Sequence, residues 1–259
     1  MLDFQHIKTR LFPKYFECAK GISEKFNALK EAEISGENFS FYTSVSSVFS
    51  SRIEGEEIDL DSFIKHKKFG VEFQPDYTKK TDDLYEAYHF AKINNLSEKN
   101  LLIAHKILTK NILSPNFQGV YRISNMYVLA GDGKIEYVAA SPFEIKNEMK
   151  NFFSELEILL QQSLNIEEIF FFAALLHLVF VKIHPMNDGN GRLARLLEKW
   201  FLAEKLGEKA WFLQSERYDY ENHQKYYENV RKLGIEFETL DYEKSLDFLL
   251  MLPKSLELS

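Results

Sequence analysis

The chain has 259 residues, of which 45% are hydrophobic and 23 are phenylalanine, enough to bury a sizeable core in one large domain or a domain with an added lobe. Its formal charge of -7 and pI of about 5.6 argue against binding a nucleic-acid backbone. A single cysteine, Cys18, excludes an intramolecular disulfide and a thiolate zinc site, and fits a reducing cytosol.

The N-terminal stretch MLDFQHIKTRLFPKYFECAK holds no apolar core of signal-peptide length. Residues 14–34 read as a first helix ending near Gly36. Phe41, Val45, Val48, Phe49 and Ile53 recur at three- and four-residue spacing, the apolar face of a second helix, with Gly55 as its C′ residue. A short third helix runs from about Asp59 to Lys68, with Asp59 or Asp61 as N-cap. A polar loop holding Gly70 and Pro75 leads to helices near 81–93 and 97–111, the latter opened by Ser97 and Asn100.

Residues 119–140 break the helical pattern. Ile123, Met126, Val128, Ile135, Tyr137 and Val138 favour strands, and Gly-Asp-Gly at 131–133 is a hairpin turn signal. The stretch closes at Ser141-Pro142-Phe143-Glu144, read as an N-cap, an N1 proline and a capping box opening a helix to about Gln162. The apolar run FFFAALLHLVFV at 170–181 is too short to span a bilayer, which needs about 20 residues, and marks a buried helix over 166–183. Further helices are expected from Gly191 to about Leu206, near 219–233 and near 239–250. The fold class is mostly α, with one β-hairpin.

The stretch IHPMNDGNGRLARLL, residues 183–197, carries the chemistry. Pro185 disfavours helix at His184, so the buried helix stops there. Asp188-Gly189-Asn190-Gly191 is loop chemistry, with Asn190 as an N-cap candidate. Leu193, Leu196, Leu197, Trp200 and Phe201 give the next helix its buried face. Arg192 and Arg195 therefore sit in its first turn, where cations oppose a helix dipole of roughly +0.5 charge. Free amides, two glycines and two arginines at one helix start make a phosphate site. Asp188 is an oxygen ligand suited to Mg²⁺. His184 is a candidate general base. Base, metal and cations together suit in-line attack on phosphorus.

These residues resemble the Fic family signature H-P-F-x-D/E-G-N-G-R-x-x-R. Only Met186 departs from it, replacing a packing phenylalanine with a side chain of similar volume. The resemblance implies a Fic-type helical fold, and a nucleotidyltransferase that moves AMP from ATP to a Ser, Thr or Tyr hydroxyl of a target protein. It implies His184 as base and Asp188 as the Mg²⁺ ligand bridging the α- and β-phosphates. Gly189, Asn190 and Gly191 would form the anion hole, Arg192 would meet the β-phosphate side, and Arg195 the γ-phosphate. Ser50-Ser51-Arg52-Ile53-Glu54-Gly55 resembles the family's inhibitory motif S/T-x-x-x-E-G/N, with Ser50, Glu54 and Gly55 in place. That implies a salt bridge from Glu54 to Arg195 which competes with the γ-phosphate, in the class with an N-terminal inhibitory helix.

By the same resemblance, the hairpin at 123–138 is a flap that binds the target protein by backbone pairing, and Gly119-Val120-Tyr121-Arg122 is its lead-in. Asn222, Tyr226, Tyr227 and Asn229 are candidates for the adenine and ribose pocket from position and residue type. The chain divides into an N-terminal helical region (1–95, with the inhibitory helix around 41–55), a core (96–240) and a C-terminal helix (241–259). Neither nucleic acid nor membrane is an expected partner, and a homodimer is left open. His105 and His177 read as core histidines, and Glu56 and Glu57 as solvated charges. The competing readings are removal of AMP from a modified protein, with Glu54 aiding a water, and a non-catalytic nucleotide-binding module.

Overall fold

A computed structural model describes residues 3–29, 36–74, 76–129 and 135–258. It is mostly helical with one two-stranded antiparallel sheet. Before the hairpin lie α1 (Phe4–Cys18), α2 (Ile22–Ala28), α3 (Gly36–Ile53), α4 (Leu60–Phe69), α5 (Lys79–Lys92) and α6 (Glu98–Leu108). The hairpin is β1 (Tyr127–Leu129) with β2 (Ile135–Val138), in register Tyr127↔Val138 and Val128↔Tyr137, with a shift between Val128 and Leu129. After it come α7 (Ile145–Gln161), α8 (Ile166–Ile183), α9 (Asn190–Leu206), α10 (Ser215–Glu221), α11 (His223–Arg231), α12 (Leu246–Leu249) and α13 (Met251–Lys254).

The core is built around α8. Every residue from Ile169 to Ile183 is buried, which matches a helix that is apolar all round. Each phenylalanine buried there contributes roughly 1.5–3 kcal/mol relative to exposure. Helix α8 begins at an Asn165–Glu168 capping box and packs against α9, α1, α7 and the short C-terminal helices. No helix among the described residues is long and apolar enough to cross a membrane.

Helix α3 packs against α5, α10, α4 and α9. Val48 at its buried face joins Ile58, Phe63 and Tyr85 in a small separate cluster. Phe39, Val45 and Phe49 are also buried, and with them an unusual number of hydroxyls: Thr43, Ser44, Ser46, Ser47, Ser50 and Ser51. The helix ends in a Schellman motif. The Glu56 amide donates to the Ser51 carbonyl (3.1 Å), and the Gly55 amide to the Arg52 carbonyl (3.0 Å). Gly55 takes φ +89°, the left-handed conformation that the motif needs and that glycine adopts without strain. Glu54 is thereby the C-cap residue.

Several expectations need correction. The predicted helix at 14–34 is two helices, α1 starting at the Asp3 N-cap and α2 starting after Gly21 at φ +78°, and residues 30–35 lie outside the described set. Phe41 is 46% exposed rather than on the buried face of α3. The capping box at 141–144 does not form: the Glu144 amide donates to the Ser141 carbonyl in a turn, and α7 starts at Ile145 with no side-chain cap. Asn190 is the first residue of α9 rather than its N-cap, because its side chain binds the Met186 backbone instead. The C-terminal stretch 241–259 holds two four-residue helices and 3-10 turns, not one helix. The Gly-Asp-Gly turn at 131–133, and Pro75, fall outside the described residues.

Candidate functional site

The α8–α9 connection brings the signature residues together. His184 is the C-cap of α8, in a left-handed conformation at φ 51°, ψ 58°. Among the described residues it is the sole non-glycine at positive φ, a strain that the surroundings must hold in place. Arg122 holds it. Its Nε donates to the His184 carbonyl (2.7 Å), and its backbone amide donates to the Pro185 carbonyl (2.9 Å). The same buried guanidinium donates to the Ser124 and Ala140 carbonyls on either side of the hairpin. The arginine therefore clamps both ends of the flap to the end of α8.

The His184 ring is partly exposed. Burial, followed by the nearby Arg122 charge, pushes it down to about 4. It is neutral at physiological pH, as a general base must be. The folded value lies below the ordinary 6.5, so the neutral ring's contribution to stability is present above pH 6.5 and is lost as pH falls through 4. Thermal unfolding is expected to show Tm declining over that window, and His184→Gln should decline less. Parallel curves for the two proteins would contradict a histidine held neutral in the folded chain.

The loop after His184 is fixed from three sides. The Asn190 amide and carbonyl bind the Met186 carbonyl and amide at 3.0 and 2.9 Å. Met186 is fully buried, a packing residue. His105 accepts from the Gly119 amide at Nδ1 (2.8 Å), so its Nε2 carries the proton and donates to the Asp188 carbonyl (2.9 Å). Gly119 sits at φ +69°, and a Cβ there would stand 2.8 Å from the Leu102 carbonyl oxygen. Gly119→Ala is expected to cost roughly 1–3 kcal/mol, because it combines that clash with a left-handed backbone. Urea denaturation checks this, and an unchanged midpoint would be the contrary result.

The first turn of α9 faces the loop. The amides of Asn190, Gly191 and Arg192 precede the first intrahelical bond, Leu193 to Gly189. Arg192 is 4% exposed, and among the described residues its Nε is a buried donor without a partner. Such an orphan costs free energy unless an acceptor arrives, so the residues present fit a phosphate. Asp188 is an exposed residue whose carboxylate accepts from the Gly189 amide. No group of three metal-ligating side chains occurs among the described residues. One carboxylate fits an ion held chiefly by phosphate oxygens and water, as Mg²⁺ is.

Arg195 is 1% exposed and committed to α3. Its Nε donates to Ser50 Oγ (2.8 Å), and its Nη2 donates to the Ser50 carbonyl (3.2 Å) and to Glu54 Oε1 (2.6 Å). The Glu54 side chain is 24% exposed. Burial raises its pKa, but Arg195 and then Arg192 outweigh this and leave it lowered, so it stays ionised. A Cβ on Gly191 would lie 2.5 Å from the same Glu54 oxygen. The carboxylate thus occupies the space over the helix start where an anion would sit.

Two residues gained a place that the sequence did not suggest. Glu56 is not a solvated charge: its Oε1 lies 2.7 Å from Lys80 Nζ and 3.8 Å from Arg192 Nη2. Tyr137, read only as a strand residue, reaches the base, with its hydroxyl 3.0 Å from His184 Nδ1. The proximity of Glu56 to Glu54 was the one available signal. Of the four candidate base-pocket residues, Tyr226 is buried with its hydroxyl 2.9 Å from His177 Nε2. The Asn229 amide is directed at Met251 and Lys232, and the Asn222 amide at the Tyr218 carbonyl. Tyr227 keeps partial exposure. His177 is a core histidine, joined to Glu198 (2.9 Å), where burial shifts both toward their neutral forms.

Residues 95–202 match the Fic/DOC family model. No curated protein matches the chain. Among solved structures, it superposes on a Fic family protein from Desulfovibrio desulfuricans G20 with TM-score 0.77 at 19% identity, covering 95% of this chain and 72% of that one. A Fic domain containing signaling protein from Bacteroides thetaiotaomicron VPI-5482 gives 0.69 at 19%, covering 93% and 94%. Fic-1 from C. elegans gives 0.68 at 16%, covering 96% and 72%. At these identities the superpositions speak for a common fold, and the family model supplies the sequence link over the segment that holds His184, the α9 start and both arginines. Residues 95–202 of this chain therefore resemble the Fic/DOC family in sequence, and the chain as a whole shares the fold of Fic proteins.

Proposed function

We propose that the chain transfers AMP from ATP to a hydroxyl of a target protein, and that α3 restrains this activity through Glu54. One observation carries the reading: a neutral, clamped histidine and two buried arginines meet at one helix start, and the second arginine is ion-paired with a carboxylate from 141 residues earlier. In the reaction, His184 Nε2 takes the proton of a Ser, Thr or Tyr hydroxyl. The hydroxyl oxygen attacks the α-phosphorus, and the bond to the β-phosphate oxygen breaks to release pyrophosphate. Asp188 would hold Mg²⁺, which neutralises charge on the phosphates. The amides of the α9 start and Arg192 bind phosphate oxygens. Arg195 meets the γ-phosphate once Glu54 has left. The target lies along the 123–138 flap, whose exposed Ile123, Tyr127 and Ile135 offer contact surface.

A second reading has one observation in its favour. The Glu54 carboxylate lies close enough to His184 to raise the proton affinity of the ring, and a carboxylate held there suits orienting a water toward an AMP-modified hydroxyl. Release of AMP from a modified target that depends on Glu54 would favour removal over addition.

The deciding experiment incubates Glu54→Gly with a cell lysate and ATP labelled at the α-phosphate or, in parallel, at the γ-phosphate. Label from the α-position is expected in protein, with an added AMP on a hydroxyl by mass spectrometry. Label from the γ-position would mean phosphoryl transfer and remove the proposal. ATP binding by calorimetry with no label in either arm would leave a nucleotide-binding module.

A further inference from the structure

The contact between the flap and the base has a defined direction. The Tyr137 hydroxyl donates to the Val181 carbonyl at 2.8 Å. That carbonyl belongs to the last turn of α8, where no later amide of the helix can reach it. A phenol has one proton to give. With it directed at Val181, the phenolic oxygen is an acceptor toward His184 Nδ1, 3.0 Å away, beside the Val181 carbonyl that the ring also meets, and both contacts favour a proton on Nδ1. The imidazole proton then sits on Nδ1, and Nε2 holds the lone pair. The tyrosine itself is well anchored. It is 3% exposed, it opposes Val128 in the hairpin, and its ring lies 4.4 Å from Lys182 Nζ. The next residue, Val138, donates its amide to the Ile235 carbonyl (2.8 Å).

We propose that Tyr137 is a positioning residue for His184, selecting the tautomer with Nε2 bare and tying the base to the strand along which the target docks. The role in catalysis rests on the adenylyl-transfer reading above, whereas the tautomer does not. His184 is held from two sides, its carbonyl by Arg122 from the start of the flap and its ring by Tyr137 from the second strand. A target segment that orders the hairpin would by the same contact order the base, so docking and proton abstraction are coupled through one hydroxyl. A base in the wrong tautomer presents a proton where the incoming hydroxyl needs an acceptor.

The test compares Glu54→Gly with Glu54→Gly/Tyr137→Phe in the full chain. The first readout is ¹⁵N NMR of labelled histidine above pH 7, with His184 assigned by its loss in His184→Ala. The second is transfer kinetics. The parent is expected to show a single Nδ1-protonated tautomer, and Tyr137→Phe a shift toward the mixed pattern of a free imidazole. Expected with it is a fall in kcat of about 10-fold, within the range for a mispositioned base, at unchanged KM for ATP. An unchanged tautomer overturns the proposal even if kcat falls, because lost packing alone would do that. An unchanged kcat in an active parent also overturns it. If the parent transfers no AMP, the adenylyl-transfer reading fails, and the NMR comparison still decides the tautomer.

Discussion

Glu54→Gly is expected to raise AMP incorporation into protein by roughly 10- to 100-fold over the parent chain. The Arg195–Glu54 hydrogen bond is charge-assisted, and such bonds contribute about 1.5–3 kcal/mol, which corresponds to a factor of roughly 10 to 150. The rival partner, the γ-phosphate, must displace this contact before Arg195 can bind it. The face that holds α3 in place adds less than its burial suggests. Ser50 and Ser46 are bonded, but Ser47 Oγ and Ser51 Oγ are buried without partners among the described residues. Hydroxyls buried this way do not add the stabilisation that apolar packing would. The substitution also leaves Arg195 buried with Ser50 as its one hydrogen-bond partner among the described residues, so the variant should be less stable without nucleotide and should gain more Tm from ATP than the parent does. Quantitative labelling with α-labelled ATP, alongside thermal unfolding with and without ATP, measures both. Equal incorporation by the two proteins would remove the restraint from the account.

His184→Ala in the Glu54→Gly background is expected to lower transfer by about 10³-fold, in the middle of the range for loss of a positioned general base. ATP binding should survive, because the anion site is made by the α9 start, Arg192 and Arg195 rather than by the imidazole. Calorimetry and single-turnover transfer on the same preparation separate the two. Transfer that persists within a few-fold of the parent would mean that another group accepts the proton; the neighbouring imidazole, His105, has both nitrogens engaged by the Gly119 amide and the Asp188 carbonyl.

The parts of the fold that are periodic in sequence were legible as such. Helix α8 reads as buried because its apolar run has no polar face, and its predicted span is the observed one. The β-hairpin shows through its strand formers, and the Asp59 and Ser97 N-caps through local side-chain chemistry. The errors fall where a local pattern had two outcomes. Ser-Pro-x-Glu supports either a capping box or a turn, and the chain takes the turn. Asn190 can cap a helix or close a loop, and it closes the loop because Met186 is buried within reach of both ends of its amide.

The candidate site divides along the same line. A twelve-residue signature with its base, its acid, its glycines and its arginines is contiguous, so its chemistry could be argued from one stretch. Gly55 likewise announces the end of the helix that presents Glu54. What no local pattern contains is which distant group each of these meets. That Arg122 clamps the backbone of His184, that Tyr137 claims its Nδ1, that Glu56 approaches Arg192 and that Asn229 turns toward Met251 are all contacts across more than twenty residues of chain. They are set by how the helices close around α8. Periodicity says that a side chain is buried, and packing alone says against what.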